Sequence, residues 1–79
     1  MEYTFLFFTH SGAIKFHRYC SKEDIPCEIM PVPRQLSSSC GICAIINTEK
    51  DYSEFINDEE IESIYKSENQ DYMLLHTSL

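Results

Sequence analysis

The sequence predicts an α+β fold of the ferredoxin-like, split βαβ kind, with elements in the order β-α-β-β-α-β. This is a sandwich in which two helices lie on one face of a four-stranded antiparallel sheet. Three observations lead there. Short aromatic or β-branched runs alternate with stretches of helical period. The first and third strands are apolar on both faces, as the central strands of this topology must be. The second and fourth carry Glu28, Glu62 and Lys66, the kind of charge that protects an edge.

Residues 3–8, Tyr-Thr-Phe-Leu-Phe-Phe, form the first strand, and Thr9, His10 and Ser11 supply residues that cap a helix. From Gly12 the period becomes helical, with Ala13, Phe16, Tyr19 and Cys20 on one face and Lys15, Arg18 and Lys22 turned away. Ile25-Pro26 ends it, because proline disfavours helical geometry in the residue before it. Cys27–Met30 is the second strand, stopped by Pro31 and Pro33, and a loop runs to Cys40. Ile42–Ile46 is the third strand. Asn47 and Thr48 then cap a second helix over Glu49–Asn57, with Tyr52, Phe55 and Ile56 inward, and Ile61–Lys66 is the fourth strand. The domain is expected to occupy residues 1–66, with 67–79 a polar tail that ends in Met73-Leu74-Leu75. Two helices cover one face of such a sheet, so the other needs the tail or a second copy of the protein, in a homodimer, to cover it.

Thirteen acidic residues against six basic ones give a net charge of −7. Phosphate recognition needs a basic stripe and none is visible, which excludes nucleic acid and anionic membrane surfaces as partners. A hydrophobic fraction of 43%, with five Tyr and five Phe, argues for a packed domain rather than disorder. The opening MEYTFLFFTH has no basic leader, and no segment approaches the roughly 20 apolar residues of a membrane span. A cytoplasmic protein is expected, with its four cysteines as reduced thiols and no bound cofactor.

The informative stretch is residues 30–43, MPVPRQLSSSCGIC. In the split βαβ topology this loop lies at the same end of the sheet as the amino end of the first helix. His10, Arg34, Ser38, Ser39, Cys40 and Gly41 are therefore expected to gather there. Free N–H groups at a helix start, a guanidinium and an imidazolium all favour a thiolate, and thiolate character makes a cysteine a nucleophile. Gly41 permits positive φ, and the serines can hydrogen-bond a sulfur anion. A solvated turn with an inert thiol would read the same way in these residues.

Met30-Pro31-Val32-Pro33-Arg34 followed by Ser38-Ser39-Cys40-Gly41 resembles the motif of the selenium/sulfur carrier-like family of small bacterial proteins. The resemblance extends over roughly residues 3–66. It takes in the aromatic first strand ending near His10, the helix leading to Ile25-Pro26, and Ile64-Tyr65. It implies that Cys40 holds sulfur or selenium, as a persulfide or selenosulfide, between donor and acceptor proteins. Cys43 and the residues after Lys66 lie outside the pattern.

Other chemistries compete for the same thiols. Cys40 and Cys43 form a Cys-x-x-Cys, the spacing of a redox dithiol, but if the strand begins at Gly41 that odd spacing sends the two side chains to opposite faces. A four-cysteine zinc site would need Cys20, which the helical period assigns to the core, so no metal is expected. A Cys40–His10 dyad lacks an orienting third group. A module that binds a small ligand or peptide through the Pro-Val-Pro-Arg loop, with Cys40 incidental, is the alternative to a carrier.

Overall fold

The computed structural model describes residues 1–78. Its elements are β1 (Glu2–Phe7), α1 (His10–Lys22), β2 (Cys27–Pro31), β3 (Ile42–Asn47), a 3-10 turn (Tyr52–Glu54), β4 (Ile61–Glu68) and β5 (Asp71–Thr77). The strands form one antiparallel sheet in the order β2-β3-β1-β4-β5. This corrects the four-stranded, two-helix expectation: there are five strands and one α-helix among the described residues. β1 and β3 lie inside the sheet, but β4 does too, and β5 takes its place at the edge.

Thr9 caps α1, its hydroxyl accepting from Gly12 N at 3.0 Å. The helix lays Ala13, Phe16 and Cys20 on the sheet, with Tyr19 left 42% exposed. Phe5, at the centre of β1, stacks on Phe16 at 4.6 Å and meets Phe55 edge-on at 5.3 Å, while Phe7 lies 5.4 Å from Phe16. Around these rings close Tyr3, Ile25, Ala44, Ile46, Ile61 and Ile64.

The second helix does not form. Residues 49–57 hold short polar side chains that bond to nearby backbone instead of leaving it to a helical ladder. Asp51 Oδ2 accepts from Ser53 N and Oγ, at 3.2 and 2.6 Å, and Thr48 Oγ1 accepts from Lys50 N. Only Tyr52–Glu54 turns, as a 3-10 segment. Phe55 still reaches the core, whereas Ile56, expected inward, is 40% exposed.

Residues 67–77 complete a hairpin with β4. Asn69 and Gln70 both have positive φ, 51° and 69°, the backbone of a two-residue type I′ turn whose twist matches the strands it joins. A bulge at Leu75, between the pairs Ile64–His76 and Tyr65–Leu74, lets this side chain pack against the core. The face away from α1 has no second layer, yet Thr4, Leu6 and Cys43 at its centre are fully buried. Thr4 Oγ1 and Ser67 Oγ are bonded at 2.7 Å, Tyr65 and Tyr72 meet edge-on, and half-buried Met30 and Ile45 flank the row. Ser67 and Tyr72, which belong to the expected tail, thus join the neighbouring strands in lining this face.

A residue other than glycine at positive φ costs about 1 kcal/mol. Gln70→Gly therefore stabilises the protein by roughly 0.5–1 kcal/mol, read as a higher urea midpoint at an unchanged slope. An unchanged or lower midpoint would contradict the type I′ assignment.

Candidate functional site

The loop between β2 and β3 is bound to the sheet and to α1 at three points. Val32 N donates to Gly41 O at 3.1 Å, which closes its base. His10, the first residue of α1, places Nε2 2.7 Å from the carbonyl oxygen of Cys40, and since a carbonyl only accepts, Nε2 carries the proton. Glu62 Oε1 accepts from both the backbone N–H and the hydroxyl of Ser39, at 3.1 and 2.8 Å.

Glu62 was expected only as a protective charge on an edge strand. It is 4% exposed. The cause is a bulge in β4: Leu6 pairs with Ser63 and Phe7 with Ile61, so Glu62 has no partner opposite it and its side chain is re-aimed toward the motif loop. No local pattern marks a bulge of this kind, so sequence reasoning missed Glu62. Glu60 performs a related task beside it, with Phe8 N donating to its carbonyl and Oε2 accepting from Thr9 Oγ1 at 3.0 Å. Glu60 lies so close to the first turn of α1 that a Cβ at Gly12 would stand 2.7 Å from Glu60 Cβ. The Glu60 carboxylate thus sits by the amino end of α1, where the helix dipole favours it.

Cys40 is half-buried at the loop's end and touches the helix-side core. Its Sγ donates to Ile42 O at 3.4 Å and has Ser38 Oγ at 3.9 Å. Ser38 Oγ also accepts from Gly41 N at 3.1 Å. Gly41 has φ +78°, and nothing stands within 4 Å of the position its Cβ would occupy, so glycine is there for its backbone and the space beside it is open. Of the six residues expected together, the structure joins His10, Ser38, Ser39, Cys40 and Gly41 in one bonded unit. Arg34 is exposed on the loop's outer part, with no hydrogen bond or ion pair among the described residues. His10 meets the backbone of Cys40 rather than its thiol.

Of the remaining thiols, Cys20 and Cys43 are buried and Cys27 is half-buried. Cys43 is fully buried on the face opposite Cys40's contacts, and its Sγ donates to Pro31 O at 3.8 Å. Burial, with Cys40 adding to it, pushes the Cys43 thiol up to about 11. Cys20 is pushed up to about 12, first by burial and then by Cys27, whose thiol bonds to it. Burial raises Cys27 as well. Among the described residues, no three His, Cys, Asp or Glu side chains are grouped to hold a metal ion. No helix among them is long and apolar enough to cross a membrane.

Two measurements test this arrangement. Alkylation mapped by peptide mass spectrometry will label Cys40 first at neutral pH, while Cys43 and Cys20 gain reactivity only as pH approaches about 11 and 12. Folded-state values above the ordinary 9.0 also mean that these two thiols contribute stability fully below pH 9, lost as pH rises through about 11 for Cys43 and about 12 for Cys20. Separately, Glu62→Ala leaves the Ser39 N–H without its acceptor, costing about 1–3 kcal/mol and speeding amide exchange at residues 38–41. Protection unchanged in that variant would show that the loop does not depend on the carboxylate.

No curated protein and no solved structure matches the chain. A family model described as "Putative Se/S carrier protein-like" matches residues 2–70, nearly the whole chain, and takes in every residue of the loop unit. The protein belongs to this selenium/sulfur carrier-like family.

Proposed function

We propose that the protein carries sulfur or selenium on Cys40, receiving the atom from a donor protein and releasing it to an acceptor, in the reducing cytoplasm. The observation that supports this most is the contrast among its thiols. Cys40 is half-buried on a bonded, glycine-opened loop, while Cys20 and Cys43 are fully enclosed.

Loading is an exchange without net oxidation. The Cys40 sulfur, deprotonated, attacks the outer sulfur of a donor persulfide; the new S–S bond forms as the donor's own S–S bond breaks. The donor leaves as a thiolate and takes up the proton that Cys40 lost. With a selenosulfide donor the terminal selenium moves in the same way. Release repeats the exchange with the acceptor's thiolate. Before it reacts, the Sγ turns from Ile42 O toward the open space beside Gly41, where Ser38 Oγ can hydrogen-bond the loaded anion. The ties to His10 and Glu62 hold the backbone while the side chain rotates. Arg34, free of internal partners, serves docking rather than thiol activation. A homodimer through the open sheet face would leave this loop, at the sheet's end, accessible to either partner.

Intact-mass spectrometry of protein purified without reductant, or treated with inorganic polysulfide, tests the reading. An increment of one sulfur or selenium atom is expected on Cys40, absent from Cys40→Ser and retained by Cys43→Ser. An unmodified Cys40, or a Cys40–Cys43 disulfide in its place, overturns it. Arg34→Ala should change the alkylation rate of Cys40 by less than about twofold, since exposed charges that make no contact are screened over about 10 Å.

A further inference from the structure

Where the expected second helix is missing, a cavity of about 190 Å³ opens between α1 and the 3-10 turn, lined by Phe16, Tyr19, Glu54, Phe55 and Asp58. Phe16 and Phe55 are 3% and 5% exposed and form its floor, and Tyr19, at 42%, stands at the rim. The rings are set at steep angles: Tyr19 to Phe55 is 84° at 6.5 Å and Phe16 to Phe55 is 70° at 5.9 Å. Tyr19 is the exposed ring of this corner, and the negative quadrupole of a ring face attracts a cation.

The carboxylates have no cation of their own. The one ion pair among the described residues is Lys50–Glu23 at 3.9 Å, so Lys15, Arg18 and Lys22 of α1 leave Glu54 and Asp58 unneutralised. The surrounding segment 49–60 adds Glu49, Asp51, Glu59 and Glu60 against Lys50 alone. An anion is repelled here, and a neutral apolar group gains nothing from the carboxylates. A flat cation satisfies both walls, because a guanidinium stacks on a ring while its N–H fork bonds carboxylate oxygens. The cavity is too open to enclose a free small molecule, so the cation needs further contacts from the surface that carries it.

The geometry points to a cation-receiving notch, in which Tyr19, Phe55, Glu54 and Asp58 take the guanidinium of an arginine presented by the basic surface of a partner protein. The notch stands apart from the cysteine chemistry: Tyr19 lies nine residues along α1 from His10, on the order of 13 Å at 1.5 Å per residue.

The test is a two-dimensional NMR titration of the full, ¹⁵N-labelled chain with N-acetyl-arginine methylamide and with its citrulline counterpart, which has nearly the same shape and no charge. Amide shifts centred on Tyr19, Glu54, Phe55 and Asp58 are expected with the arginine compound, and binding about fivefold weaker with citrulline. Tyr19→Leu, which keeps an exposed apolar side chain without a ring, and Glu54→Gln each weaken arginine binding by about fivefold. Cys40→Ser leaves it unchanged, so the outcome is independent of the carrier role. Equal binding of the two compounds, or shifts spread over the acidic surface and indifferent to Tyr19, overturns the proposal. A third arm uses an arginine-containing basic peptide. If it binds no tighter than free guanidinium ion, a partner's side chain is ruled out as the source.

Discussion

One helix must cover the inner face of a five-stranded sheet, and it does so only because Phe55 completes the layer. Phe5 is held between Phe16 of α1 and Phe55 of an irregular segment, both within about 6 Å of its ring centre. Rings this large bury enough apolar area for a few of them to dominate a small core. The 48–60 segment therefore needs no helix, since one aromatic anchor and a series of side chain-to-backbone bonds hold it in place. Its end is then fixed where β4 begins.

That placement reaches the motif loop. With Phe55 anchored, Ile61 enters β4 opposite Phe7, and the bulge that follows turns Glu62 toward Ser39. The same approach lays Glu60 on the first turn of α1, where Gly12 makes room for it. His10 completes the frame from the helix side. The backbone of Cys40 is thus positioned by β4 and α1 together, while its side chain keeps the freedom to turn. A carrier of a single atom benefits from that division, because the loop must present the same shape to donor and acceptor while the sulfur moves.

The expected second helix and the expected tail illustrate different limits of sequence reading. Asn47 and Thr48 are sound capping residues, and Tyr52, Phe55 and Ile56 have helical spacing. Yet a short helix is marginal by propensity and depends on tertiary packing, and only Phe55 of the three is buried. At the other end of the chain, the polar run Ser67–Asp71 looked like a tail because its turn, Asn69-Gln70, lacks the glycine that usually marks a type I′ hairpin.

What the sequence by itself determined is local. The apolar runs of β1, β2 and β3, the capped amphipathic α1, the glycine turn at Cys40-Gly41 and the family motif all follow from residue type and spacing over a few positions. Cys40 and Cys43 do pack on different sides, but Cys40 precedes β3 and is placed by the positive-φ turn at Gly41, so the two-residue period of a strand does not account for it. Only the tertiary structure decided that Glu62 is buried against Ser39, that Arg34 is exposed and makes no bond to the thiol, that His10 meets a carbonyl, and that β5 forms the edge of the sheet. Each of these depends on strand register, on bulges or on a hydrogen bond between residues far apart in the chain. Such contacts are chosen by how the whole core packs, and residue spacing along the sequence does not encode them.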